Sequence, residues 1–322
     1  MPELDIDLLK RFEQGLDPRH PEKSRISAKV IGYGEISTIF EIEAETLAGW
    51  AFKRLPIFKA LAEVDQYEQI FIEYNKLLKD EVGIDVPEFT CARIIPEKGN
   101  IVVFDIQRKL PSESMGHRAI HVLDNKNIAT FVEIVLRELK KVWTFNKAND
   151  HIRIGIDGQI SNWAIKEFDT RNPHVDINTR LYYIDTSTPF IQKDGEEQLN
   201  PELFLRSAPS FLVWLVKWLF LEDVMTRYYD FHLVAVDVIA NFYKEQRPDL
   251  IPELIDTVNK FFATEAEELG IAPVTQKEVM SYYRQDARIW RIYLALRKLD
   301  RFLYTKLLHK PYVYILPGKI KR

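Results

Sequence analysis

A change of hydrophobic period partway along the chain constrains its fold more than any other feature. From Ala28 to Leu55 apolar residues recur at every second position, and Phe40, Ile42 and Ala44 alternate with Glu41, Glu43 and Glu45. That is the pattern of half-buried strands. Trp50-Ala51-Phe52-Lys53 begins a further strand, which Pro56 is expected to stop. At Val64–Lys79 the period becomes helical: Val64, Tyr67, Phe71, Tyr74 and Leu78 fall on one stripe, and Gly83 and Pro87 end the helix. Ile101–Ile106 is again an apolar strand, with a polar exit at Gln107-Arg108-Lys109. Ile128–Trp143 is a clear amphipathic helix. After Pro189 no strand pattern appears until the last ten residues, and helices are expected at about 201–220, 222–245, 248–269 and 275–308. The chain therefore reads as α+β: an N-terminal extension at 1–24, a strand-rich lobe with one helix at 25–107, and a mainly helical lobe at 108–322.

Composition narrows the function classes. The 322 residues are 46% hydrophobic and 29% charged, enough for two lobes with cores of their own. A net charge of −4 gives no global basic field for nucleic acid or acidic membranes. A single cysteine, Cys91, rules out an internal disulfide and a thiolate zinc site, and the seven histidines lack ligand spacing. The Met1–Gln14 segment is amphipathic and acidic rather than secretion-like, so a cytoplasmic location is expected. The most apolar run, Phe211–Leu221, has eleven residues and contains Lys217. It falls short of the roughly 20 that span a bilayer, so a buried helix and no membrane partner are expected.

The residues that could carry chemistry lie around Gly155-Ile156-Asp157-Gly158-Gln159-Ile160-Ser161-Asn162. A strand-like segment precedes Asp157, another follows Asn162, and a third, Leu181-Tyr182-Tyr183, leads into Asp185. In phosphoryl transfer one carboxylate faces a hydroxyl while an amide oxygen and a second carboxylate hold Mg²⁺. The bland reading is that Asp157-Gly158 is only a hairpin turn. Upstream, Gly32-x-Gly34 stands between two strands, where backbone N–H groups could approach phosphates or simply form a turn. Lys53 sits mid-strand just after it, either solvated or aimed at a ligand. A lysine in that role needs a carboxylate from the next helix. Glu63, Glu68 and Glu73 are available, and helical phase does not choose between Glu68 and Glu73.

Taken in order, Gly32-x-Gly34, Lys53, Glu73, the Ile101–Ile106 strand, Asp157-x4-Asn162 and Asp185 resemble the protein-kinase-like superfamily. The likeness is nearest the branch of aminoglycoside phosphotransferases, choline kinases and other small-molecule or atypical kinases, and covers about residues 25–195. It implies a two-lobed fold with ATP and Mg²⁺ between the lobes. Lys53 would contact phosphate and Glu73 would orient it, since the Glu73-x3-Leu77 and Val86-Pro87 arrangement is similar to small-molecule kinases. Asp157 would be the catalytic base, Asn162 and Asp185 the metal ligands, and Gly32, Gly34 and Gln107 nucleotide contacts, with adenine near the backbone of Ile106–Arg108. The chain departs from the family at four places. Gly155 replaces a histidine, Thr186-Ser187 replaces Phe-Gly, Ser37 replaces a glycine, and Asp157 and Asp185 stand 28 apart, leaving Lys166–Thr179 as an insertion. No Ala-Pro-Glu follows Asp185, which favours a small-molecule acceptor over a protein. The resemblance thus implies an ATP- and Mg²⁺-dependent phosphotransferase. A regulatory nucleotide-binding pseudokinase and AMP transfer on the same fold are the alternatives.

Two other stretches stand out. Tyr228-Tyr229-Asp230-Phe231-His232 reads as core and cleft wall rather than a metal site. The Thr275–Leu308 helix carries Arg284, Arg288, Arg291, Arg297, Lys298, Arg301 and Lys306, and Lys319, Lys321 and Arg322 close the chain. With Tyr282, Ile289, Tyr293, Leu296 and Leu303 as its packing face, that charge reads as a solvated surface, and nucleic acid is not expected as a partner.

Overall fold

The alternating segments assemble into one antiparallel sheet. Its strands are β1 (Ala28–Tyr33), β2 (Thr38–Ile42), β3 (Trp50–Phe58), β4 (Phe89–Ile94) and β5 (Ile101–Arg108), in the order β1-β2-β3-β5-β4. The computed structural model describes residues 4–34, 36–96, 99–206, 226–310 and 312–317. Pro56 does not end β3, which runs on to Phe58. The pairing with β5 shifts between Leu55 and Phe58, and this irregularity places the proline where the ladder requires no donor.

Each face of the sheet has its own cover. Helix α1 (Ile6–Gln14), capped by Asp5, buries Leu9 and Phe12 against Phe40, Phe52 and Phe104. Glu13 at its end grips the buried Arg54 through two hydrogen bonds of 2.7 Å. The segment expected as an extension is therefore packed into the core of the sheet. The chain returns to the same lobe at its end, where Ile315 joins this cluster and Tyr312 and Tyr314 join the one on the opposite face. No strand forms over Tyr312–Pro317, although the sequence had suggested one near there.

Helix α2 (Leu61–Lys76) joins the two parts of the molecule. Val64, Tyr67 and Phe71 pack on the sheet, whereas Ile70, Tyr74 and Leu78 belong to the core of the helical part. The helix widens into a π turn at Leu77–Val82 and stops at Gly83, whose φ of 79° is the left-handed conformation glycine adopts freely. The helical part is built on α3 (Gly116–Ala119), α4 (Asn125–Ala148), α5 (Phe231–Lys244), α6 (Ile251–Thr264) and α7 (Gln276–Phe302). Helix α4 supplies a long apolar face, with Ile128, Phe131, Val135, Leu136, Leu139 and Val142 buried as its period requires. Short strands cross its top: β6 (Ile152–Ile154) pairs with β9 (Ile191–Lys193), itself paired with β10 (Glu196–Glu197), and β7 (Trp163–Ile165) pairs with β8 (Leu181–Tyr183). The expected helix at 201–220 is described only over Glu202–Leu205, and Phe211–Leu221 lies outside the described residues. The result is the expected α+β arrangement: an antiparallel-sheet N-terminal part with one helix, and a mostly helical C-terminal part.

Candidate functional site

Strand register brings the first half of the site together. Gly32 pairs with Ile39, Ile39 with Lys53, Lys53 with Asp105, and Asp105 with Cys91, a single row across all five strands. Residues in such a row project to the same face of the sheet. Ala51 and Gln107, two pairs along, share that face. Beneath the row lies a cleft of about 380 Å³ whose lining includes Gly32, Gly34, Lys53, Gln107, Asn162 and Asp185. Six of the residues singled out by sequence thus meet in one place, although more than a hundred positions separate the first from the last.

The opposite wall is a pair of short strands and the loops they leave. Ile184 N–H donates to the Asn162 carbonyl at 2.9 Å, which locks Asn162 beside Asp185. The Asn162 Nδ2 donates to the Asp157 carbonyl, so its Oδ1 remains available as an oxygen ligand. Asp185 accepts Lys53 Nζ at 2.7 Å, an ion pair that closes the cleft from lobe to lobe. Thr186 and Ser187, which stand in place of Phe-Gly, are buried and hold this segment. Gln107 donates to the Thr186 hydroxyl at 3.0 Å, Ser187 Oγ to Asp185, and the Tyr67 hydroxyl lies 2.9 Å from the Ser187 carbonyl.

Around Asp157 the glycines are explained by space. A Cβ on Gly155 would lie about 3.0–3.1 Å from Phe190, the Tyr228 carbonyl and Tyr229. A histidine there would require these neighbours to shift by a few tenths of an ångström, and the loop is anchored otherwise. Tyr74 donates to the Gly155 carbonyl, and Ile156 N–H to the Tyr228 carbonyl. Gly116 of α3 faces the same loop, and a Cβ on it would come within 2.1 Å of the Ile160 carbonyl. Backbone cannot yield as a side-chain tip can. Gly116→Ala is expected to cost about 2–4 kcal/mol, as overpacking at rigid sites does, read as a lower urea midpoint with an unchanged slope.

The site departs from the sequence expectation in three respects. Glu73 does not meet Lys53; it is paired with Lys193 of β9 at 2.7 Å. The other two candidates are engaged as well, Glu68 by Arg93 and Glu63 by Arg206. The helix instead contributes Tyr67, whose hydroxyl donates to Asp105 at 2.6 Å, and Asp105 stands opposite Lys53 in the sheet. Because the Glu73 pair is partly exposed and no ion pair joins Glu73 to Lys53 among the described residues, Glu73→Gln should change nucleotide affinity by less than about threefold in a calorimetric titration, with a stability loss under about 1 kcal/mol. Second, Asp157 is half-buried and is not part of the cleft lining. Its carboxylate accepts the Gln159 N–H at 3.1 Å. Burial, then the nearby Asp237 and Asp185, pushes its pKa well above the usual range. Third, Arg108 N–H is spent on the Glu88 carbonyl and Lys109 N–H on that of Gly49, so backbone donors for an adenine ring are not free at Arg108.

Several residues escaped the sequence reading. Asp105 interrupts the apolar run Ile101–Ile106, and a carboxylate there was the available signal. Burial lifts its pKa to about 7, against the opposing pulls of the Tyr67 hydrogen bond and Lys53. His117 lines the cleft with its Nδ1 buried and without a hydrogen bond among the described residues. Burial lowers its pKa to about 4, leaving it neutral at physiological pH. Ser37 Oγ is likewise buried and unbonded, 2.5 Å from where a Cβ on Gly34 would sit. The turn is thus a cradle that only glycine leaves open, with a hydroxyl at its floor and the Lys53 side chain 3.8 Å away from the same point.

The profile of a family of unknown function, DUF6206, matches residues 19–301. The chain belongs to the DUF6206 family. No protein of curated function matches this DUF6206 chain in sequence. Among solved structures, it resembles the GDP complex of an aminoglycoside 2'-phosphotransferase-IIIa variant. Identity is 12%, with 80% of this chain and 98% of that one covered, at a TM-score of 0.35. It also resembles WaaP in complex with acyl carrier protein, at 12% identity, 87% and 95% coverage and a TM-score of 0.35. A third is the GDP and kanamycin complex of APH(2")-IIIa, at 13% identity, 80% and 99% coverage and a TM-score of 0.31. Likeness at this level says nothing about substrate; the chemistry available to the DUF6206 chain follows from its own side chains. No helix among the described residues is long and apolar enough to cross a membrane.

Proposed function

We propose that this protein is a nucleotide-dependent phosphotransferase whose donor is ATP with Mg²⁺ and whose acceptor is a hydroxyl on a small molecule. The observation that carries this reading is the convergence of Lys53, Asn162 and Asp185 in the cleft under the Gly32–Gly34 turn. The open cradle at Gly34, with the unbonded Ser37 hydroxyl beside it, suits phosphate oxygens, which accept hydrogen bonds and repel carboxylates. Lys53 would exchange part of its contact with Asp185 for phosphate. Asn162 and Asp185 supply one amide and one carboxylate oxygen, a donor set that fits Mg²⁺, which takes few protein ligands and completes its shell from phosphate and water. A cation held there would neutralise charge on the triphosphate. Asp157, next to Asn162, would align the acceptor hydroxyl and accept its proton. A raised pKa is the direction expected of a carboxylate used as a base near neutral pH.

Two observations favour a second reading, a regulatory nucleotide-binding protein without turnover. No helix glutamate holds Lys53 among the described ion pairs, and Asp157 stands outside the cleft lining. Titration calorimetry with ATP, with and without Mg²⁺, followed by an ATP-turnover assay, separates them. Metal-dependent binding with turnover supports the transferase; binding alone supports the regulator. Absence of binding under both conditions rejects both. Mass spectrometry of the product distinguishes added phosphate from added AMP.

A further inference from the structure

We infer that the end of α7, together with β1, forms a peripheral docking face for an anionic lipid bilayer. The proposal is independent of the phosphotransfer reading. A groove of about 900 Å³ lies between the last turns of α7, the edge strand β1, the loop at Pro18–Glu22 and the returning Ile315-Leu316. Five cations line it: Arg19, Lys29, Lys298, Arg301 and Lys306. None makes an ion pair among the described residues, and only two carboxylates, Glu22 and Glu43, share the lining. The excess is local, since the whole chain carries a net charge of −4.

Charge alone would suit any polyanion. The apolar residues beside it choose among them. Phe302, in the groove, is 54% exposed, and Leu307 and Leu308 just beyond it are 63% and 55% exposed. Leu299 and Tyr33 are exposed as well, and Leu299 lies three residues before Phe302 on one stripe of the helix. Large aliphatic side chains left in water on the same helix end as lysines and arginines that make no ion pair among the described residues are the signature of a surface that sits in the headgroup region. An RNA strand would use the cations and the rings of Phe302 and Tyr33, but has no use for Leu299, Leu307 and Leu308. The expectation of no membrane partner rested on the length of an apolar run. That criterion detects a span and misses an interfacial face, and helix periodicity had assigned the basic residues to solvent without showing which apolar ones join them.

The test is co-sedimentation of the full chain with vesicles of neutral phosphatidylcholine, with vesicles containing about a third phosphatidylserine or phosphatidylglycerol, and in parallel with a single-stranded RNA. Glycerol phosphate serves as competitor for a free-headgroup site. Binding to anionic vesicles should exceed that to neutral ones by about tenfold or more and should weaken with salt. Lys298→Glu/Arg301→Glu and Leu307→Ser/Leu308→Ser should each reduce it about tenfold or more, with circular dichroism unchanged because these positions are mostly solvent-facing. Equal binding to both vesicle types, no binding to either, preference for RNA, displacement by glycerol phosphate, or full binding by either folded variant would overturn the proposal. If either variant fails to fold, the wild-type preference among the vesicles and RNA decides.

Discussion

Asp185→Ala is expected to lower the affinity of the protein for Mg²⁺–ATP by more than about 100-fold and turnover by about a thousandfold, while the fold survives. The Asp185 carboxylate lines the cleft, is paired with Lys53 and, in the proposed function, would also be a metal ligand. It follows β8 directly, is fixed by the Ile184 to Asn162 hydrogen bond, and is steadied by Ser187. Removing it would take away one of the two proposed oxygen ligands and one partner of Lys53, yet leave the buried Thr186 and Tyr67 contacts intact. Calorimetry with and without Mg²⁺ isolates the loss. An unchanged affinity in a folded variant would remove Asp185 from the nucleotide site and the phosphotransfer reading with it.

How much of this was legible in the sequence follows from which forces act locally. The strands and helices were readable because burial on one face imposes a period, as at Phe40-Glu41-Ile42 and along Ile128–Trp143. The row Gly32, Lys53, Asp105 was half readable: the order of elements placed the glycines and the lysine, but register across strands is set by pairing, which no single segment reveals. The partner of Lys53 was misassigned for the same reason. Glu73 and Glu68 lie near the apolar stripe of α2, and only the position of β9 and of Arg93 on β4 determines what each of them meets. Pro56 was read by a rule for regular strands and met an irregularity instead. Asp105 was overlooked because apolarity was averaged over the strand, although one carboxylate among five apolar neighbours was the informative exception.

Asp157→Asn separates chemistry from binding, and its outcome should differ in kind from that of Asp185→Ala. Asparagine preserves the shape of the side chain and can still accept the Gln159 N–H, so the loop that presents Asn162 should hold. It cannot take a proton from an acceptor hydroxyl. Turnover should therefore fall about 100- to 10,000-fold, with Mg²⁺–ATP affinity within about threefold of wild type. The surroundings of Asp157 add a pH signature. Burial and the neighbouring Asp237 both favour its protonated form, so activity should rise with pH until the carboxylate is ionised. Asp237 has its own pKa raised to about 6 by burial and by Asp286. Replacing it with asparagine deletes a negative charge that opposes ionisation of Asp157, so the acid limb of the pH–rate profile should move to lower pH. A profile that stays in place in Asp237→Asn, or full turnover in Asp157→Asn, would show that the proton leaves by another route.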